Sequence, residues 1–172
     1  MKKLLILGAG GYGKTIADVA RQLGRYEKIA FLDDGKSGAD ILGNCGEYYQ
    51  FAGENTEMYP AFGNNATRME WLERLLDEDI AVPTLVHPKA YVSPCAKLGV
   101  GTVVLPMAVV NTGVTVEAGC IINIGALIDH DCYIEAGVHL CPGVIVKAEN
   151  RIRVKSRIES GEVILARSNP LF

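Results

Sequence analysis

"VVLPMAVVNTGVTVEAGCIINIGALIDHDC" runs from Val103 to Cys132. Within it Val104, Val110, Val116, Ile122 and Ile128 stand six residues apart. The spacing continues in both directions. Taking every sixth residue from Val86 to Ile164 gives fourteen positions, and every one is Val, Leu or Ile. Those three types make up about 27% of the chain, so a chance run of this length is on the order of one in 10⁸. Four residues after each aliphatic comes a mostly small side chain: Ala90, Ala96, Thr102, Ala108, Val114, Cys120, Ala126, Cys132, Val138 and Val144. One aliphatic and one small position in every six describe a parallel β-helix. The aliphatic fills the interior, the small residue fits a tight corner, and the residues between them face outward. Cys120 and Cys132 read as small apolar packing residues.

Ahead of this repeat the grammar is α/β. Lys3 to Leu7 is a short apolar strand, "GAGGYGK" follows at Gly8 to Lys14, and residues 15–23 form an amphipathic helix with Ile16, Val19, Ala20 and Leu23 on one face. "KIAFLDD" is a second strand ending at Asp33 and Asp34. "YPAFGNN" is a later strand running into a polar loop at Gly63 to Asn65. Residues 67–79 form a second helix with Met69, Leu72, Leu75 and Leu76 on its apolar face. Gly8, Gly10 and Gly13 have the G-x-G-x-x-G spacing of a phosphate-cradling turn, and Asp33 stands about twenty residues on, where a ribose-binding acid would. Only about 80 residues precede the repeat, roughly half a doubly wound fold. That size suits a nucleotide-sugar better than a full dinucleotide, and it weighs against an NAD-dependent oxidoreductase.

The chain has 172 residues with a net charge of −3, which gives no reason to expect nucleic acid as a partner. No apolar run approaches the ~18 residues of a membrane helix. "MKKLLIL" is too short in its apolar part for a signal peptide. Five cysteines without a C-x-x-C pair argue for reduced thiols in the cytoplasm, and no compact ligand spacing supports a metal site.

Two of the three histidines lie close together in the repeat. Asp129, His130 and Asp131 fall between the inward Ile128 and Cys132 and therefore project outward. A histidine beside carboxylates is a general-base arrangement, the carboxylate fixing the tautomer and stabilising the imidazolium. In an extended segment Asp131 points away from His130, so either Asp129 or, through a corner, Asp131 is its partner. His139 lies nine residues on, on a different face of the same subunit or near a neighbouring subunit. Cys141, read as outward beside Pro142, is a candidate nucleophile with nothing nearby to lower its pKa.

"LILGAGGYGK", "FLDD", "FGNNATR", "HPKAYVSPCAKLGVGTVVLPMAVVN", "IINIGALIDHDC" and "VHLCPGV" occur in this order. Together they resemble the bacterial sugar O- and N-acetyltransferases of the NeuD/PglD type, over roughly residues 3–146. The resemblance implies an α/β Rossmann-like domain over residues 1–82, followed by a left-handed parallel β-helix of hexapeptide repeats over residues 83–172. It implies a cytoplasmic homotrimer with no permanently bound cofactor and acetyl-CoA as co-substrate between adjacent β-helices. The acceptor it implies is a UDP-sugar or related sugar, as in surface polysaccharide or glycan synthesis. On this resemblance His130 is the general base with Asp131 as the acid beside it, and His139 lies near the acyl-CoA. Gly8, Gly10, Gly11, Gly13, Asp33 and Asp34 meet the UDP portion, and Asn64 and Asn65 form a substrate-side loop.

Two departures from the family pattern stand out. Tyr12 replaces the histidine that often occupies the glycine loop. After Gly143 the small positions become Asn150, Ser156 and Glu162, and the glycines vanish except Gly161. Arg151, Arg153, Lys155 and Arg157 follow there, as a solvated edge or as partners of CoA phosphates. The altered coil leaves a second reading open, a non-catalytic trimeric module that binds a nucleotide-sugar. The acceptor sugar, amine or hydroxyl as target, and the acyl chain length stay open at this level.

Overall fold

The structure, a computed structural model, describes residues 2–168. The chain divides into two compact units, Met1–Pro83 and Thr84–Phe172.

The first unit is built on a three-stranded parallel sheet of β1 (Lys2–Leu7), β2 (Tyr26–Leu32) and β3 (Thr56–Pro60), in the order β2-β1-β3. Leu4, Leu5, Ile6 and Leu7 are all buried, so the central strand is covered on both faces. Helix α1 (Gly11–Leu23) starts four residues earlier than the amphipathic pattern indicates, directly on the glycine loop. It ends at Gly24, whose φ of 65° makes a left-handed cap. Helix α2 spans Asn65–Asp77 and buries Met69, Leu72 and Leu75, whereas Leu76, expected on the same face, is 40% exposed. Residues 35–58, unassigned from the sequence, contain a 3₁₀ turn at Cys45–Phe51 and the start of β3. Because β1 is central, the loops after all three strands gather at their carboxyl ends, at the point where the strand order reverses.

Among the described residues, the second unit contains fourteen two-residue strands, β4 (Leu85–Val86) to β17 (Val163–Ile164). Each ends on one of the fourteen aliphatics read from the sequence. They stack in three parallel sheets of five, five and four strands, and paired residues such as Ile121, His139 and Arg157 are eighteen apart. One coil is therefore three hexads, and the cross-section is a triangle. The interior is a single column of apolar residues from Val104 to Ile152, all nearly inaccessible.

The corners follow a second rule. From Gly101 to Arg167, every sixth residue has φ between 55° and 74°. Seven of these twelve are glycine; the others are Met107, Asp131, Glu149, Lys155 and Arg167. The left-handed conformation is costly for residues with a Cβ, yet the coil keeps it after the glycines run out.

A third rule concerns the small inward positions. The Thr84 and Thr102 hydroxyls, the Cys120 and Cys132 thiols and the Asn150 amide each donate to the carbonyl fifteen residues ahead, at Gly99, Glu117, Glu135, Lys147 and Leu165, at 2.8–3.2 Å. The two cysteines are thus hydrogen-bond donors to corner carbonyls as well as fillers, which corrects the purely apolar reading. Asn150 is fully buried and also donates to the Lys147 carbonyl at 2.7 Å. It lets the last coil pair normally through β15 (Arg151–Ile152), despite the loss of the usual small residue. Replacing Asn150 with alanine removes one donor from each of those carbonyls, while Cys132 still donates to Lys147 and Ser168 to Leu165. The expected loss is about 0.5–1.5 kcal/mol of stability for each hydrogen bond removed, measured by urea unfolding.

Candidate active site

At the carboxyl edge of the three-stranded sheet, Gly8 leaves β1 with φ 101°, and its N–H donates to the Leu32 carbonyl at 2.8 Å. Gly10 is the N-cap of α1 and Gly11 its first residue. A Cβ at Gly13 would overlap the Gly8 carbonyl, so this glycine sets how closely helix and strand approach. No side chain caps the start of α1.

Asp33 is engaged with backbone N–H groups. One carboxylate oxygen accepts from the Ala9 N–H at 2.7 Å and the other from the Gly35 N–H at 3.0 Å. Those hydrogen bonds, led by the one from Ala9, hold its pKa below the usual carboxylate range. Asp34 accepts from the Cys45 N–H at 2.7 Å. Asn64 is the N-cap of α2, accepting from the Thr67 N–H at 3.0 Å. Asn65 accepts from the buried Arg68 guanidinium at 2.8 Å, and Arg68 also donates to the Phe62 carbonyl. Tyr12, in the glycine loop, makes a 3.0 Å hydrogen bond to the Tyr59 hydroxyl.

Beside the loop is a cavity of about 360 Å³ whose lining includes Ala9, Lys14, Lys36 and Asp40. Lys36 donates to the Ala9 carbonyl at 2.8 Å. The sequence reading missed both lysines; their signal was two cations flanking a glycine loop. Of the predicted residues, the fold brings the glycines and Asp33 together around Ala9. Asp34, Asn64 and Asn65 are engaged in bracing neighbouring turns.

In the β-helix, His130 sits at the corner between β11 (Leu127–Ile128) and β12 (Tyr133–Ile134). The choice between its two acidic neighbours is resolved by the backbone. Asp131 has φ 56°, so the chain turns instead of alternating, and its carboxylate lies 2.8 Å from His130 Nδ1. Asp129 accepts instead from the His130 N–H at 2.8 Å and from Asn111 at 3.3 Å. With Nδ1–H donating to Asp131, Nε2 is the free basic nitrogen. The hydrogen bond to Asp131 raises the His130 pKa; Asp129, Asp131 and Glu149 add charge in the same direction, against a smaller effect of burial. Glu149, one coil further, itself accepts from Arg167 Nε and Nη2 at 2.8 and 2.9 Å.

His139, in β13 (His139–Leu140), lies on another sheet and is buried, with Nε2 2.9 Å from Asn123 Nδ2. Asn123 Oδ1 accepts from the Ile124 N–H at 2.8 Å. That fixes the amide orientation, so His139 Nε2 accepts and the proton resides on Nδ1. Asn123 was not singled out in the sequence; it lies sixteen residues before His139, and only the stacking of the coils reveals the contact. Cys141, expected outward, is 1% exposed, in the same corner column as the buried Leu105, and burial pushes its thiol pKa up. It is a packing residue. Among the described residues no group of three or more His, Cys, Asp or Glu could hold a metal ion, and no helix is long and apolar enough to cross a membrane.

Comparison with known proteins places this architecture. Residues 3–75 match the PglD N-terminal domain family. The acetyltransferase domain of PglB from Neisseria gonorrhoeae superposes with a TM-score of 0.92 at 38% identity, covering 95% of this chain and 82% of that one. The same domain in complex with acetyl coenzyme A also gives 0.92 at 38%, covering 94% and 81%. UDP-N-acetylbacillosamine N-acetyltransferase of Bacillus subtilis is 34% identical over 116 residues, which cover 61% of this chain and about half, 52%, of that protein. The α/β unit followed by a left-handed parallel β-helix is the fold of these proteins. The chain belongs to the NeuD/PglD-type sugar acetyltransferases.

Replacing Asp33 with alanine removes the acceptor of the buried Ala9 N–H. The expected cost is about 1–3 kcal/mol in urea unfolding at neutral pH. Since the folded carboxyl has the lower pKa, its contribution is full above the ordinary value of 3.8 and is lost as pH falls through the folded value. The gap between wild type and variant therefore closes on acidification.

Proposed function

We propose that the protein transfers the acetyl group of acetyl-CoA to the amine of a nucleotide-linked amino sugar, with a UDP-sugar as the acceptor class. The observation that carries this reading is the His130–Asp131 pair, an oriented imidazole with Nε2 unblocked on a rigid corner. The acetyl-CoA complex of the gonococcal domain and the name of the Bacillus enzyme support the donor and acceptor classes. His130 Nε2 takes a proton from the sugar amine as its nitrogen attacks the thioester carbonyl. The tetrahedral intermediate collapses with cleavage of the C–S bond, and the imidazolium returns the proton to the departing CoA sulfur. Asp131 keeps the proton on Nδ1 and stabilises the imidazolium. His139 contacts the acyl-CoA.

The glycine loop, with Gly8, Gly10, Gly11 and Gly13, receives the nucleotide diphosphate at the uncapped start of α1. Asp33 and Asp34 border it, and Asn64 and Asn65 line the substrate side. The reaction belongs in the cytoplasm, where acetyl-CoA is available and the five free thiols persist. The working form is a homotrimer. Its support is the outward column of one sheet, Tyr91, Val109, Leu127, Ile145 and Val163, which is aromatic or aliphatic throughout and partly open to solvent. A second copy of this chain is a fitting cover for it.

His130→Ala is expected to lower turnover by about 10²–10⁴-fold with the oligomer intact; unchanged turnover removes His130 from the chemistry. In the wild type the acid limb of the rate profile lies above histidine's ordinary 6.5, because the base must be neutral and its pKa is raised. Leu127→Asp is expected to yield a smaller species by light scattering, and an unchanged mass rejects the apolar column as the interface.

A further inference from the structure

The corner that carries Asp131 is stacked on the corner that carries Gly113, eighteen residues earlier, and the Asp131 N–H donates to the Thr112 carbonyl at 3.0 Å. Both residues are left-handed, with φ 72° at Gly113 and 56° at Asp131. The Asp131 carboxylate leans onto the lower corner. A Cβ built on Gly113 would overlap Asp131 Oδ1, with the Asp131 carboxyl carbon next at 3.3 Å. The oxygen that does not meet His130 thus occupies the space a side chain at residue 113 would take.

The corner at Gly125, two hexads further along the chain, has φ 65° but nothing within 4 Å of where its Cβ would stand. Left-handed geometry is common to both glycines, and five other corners of this helix hold it with larger residues. What distinguishes Gly113 is the carboxylate lying on it.

We propose that Gly113 is a positioning residue for the candidate base: its missing side chain lets the Asp131 carboxylate settle against the coil below and reach His130 Nδ1. The inference rests on the acetyl-transfer reading for its catalytic consequence, but its geometry is independent of that reading. The atom that must yield to a Cβ is the tip of a flexible side chain, so the coil survives substitution and the carboxylate moves. The other charges around the imidazole stay in place: Asp129 on the same corner, and Glu149 from the next coil with its partner Arg167. The effect of losing the Asp131 contact is therefore separable from theirs.

The test is an NMR titration of His130 in the full chain, with no substrate present, for wild type, Gly113→Ala and Gly125→Ala. The expected result is that Gly113→Ala lowers the His130 pKa toward 6.5, the ordinary histidine value, while Gly125→Ala leaves it at the wild-type value. With acetyl-CoA and a UDP-amino-sugar, Gly113→Ala is expected to lose roughly tenfold in kcat, with the acid limb displaced downward and KM for acetyl-CoA unchanged. In an Asp131→Gly background, Gly113→Ala is expected to have no further effect on kcat. An unchanged His130 pKa in Gly113→Ala overturns the proposal, as does an equal shift in Gly125→Ala. Should no activity be found with any acceptor, the titration still decides the role of Gly113, and the acetyl-transfer reading fails separately.

Discussion

A chain that turns a corner every six residues must reverse its backbone twist at each one, and the whole second unit depends on how that is done. Twelve successive corners use a left-handed residue. Immediately after each comes an inward position with little room, and the two constraints together fix the period. The aliphatic ladder supplies the burial, but the corner decides where the ladder can stand. The five corners without glycine carry local strain, and two of them, at Glu149 and Arg167, are joined by an ion pair between stacked coils. At Asp131 the same strained geometry has a chemical use, since it turns a carboxylate back onto the preceding imidazole.

The first unit solves a different problem. Its glycine-rich turn is held in shape by polar side chains of the loops that follow the strands. Asp33 pins the Ala9 N–H, Lys36 pins the Ala9 carbonyl, and Asn64 caps the helix that follows β3. These polar side chains look like ligand contacts in the sequence and serve as loop braces in the fold. The two roles are compatible, because a carboxylate oxygen retains a second lone pair.

The β-helix was legible because an aliphatic every sixth residue is a strong periodic signal that side-chain burial imposes directly. All fourteen two-residue strands end on that ladder. The left-handed corners were equally periodic in the sequence, as glycine at seven of twelve positions, yet Met107, Asp131, Glu149, Lys155 and Arg167 interrupted the pattern. That interruption also hid the partner of His130: strict alternation sends Asp131 the wrong way, and only the positive φ brings it back. The exposure of Leu76 and the burial of Cys141 and Arg68 were not legible. Each depends on which neighbouring element covers a surface, and hydrophobic pattern within one segment carries no such information. The pairing of Asn123 with His139 needed the eighteen-residue stacking of coils.

The inward thiols carry a consequence for chemical reactivity. Cys120 and Cys132 donate to corner carbonyls, Cys141 is buried, and Cys45 is buried in the first unit, with a pKa pushed up to about 11. Ionisation would leave Cys120 and Cys132 without the proton they share, so the alkylating and oxidising agents that attack thiolates find them closed. Cys95 alone is exposed. The native chain is therefore a natural single-thiol reagent target, marked near the first coil. The number of thiols it yields to a maleimide becomes a direct gauge of how far the solenoid has unwound.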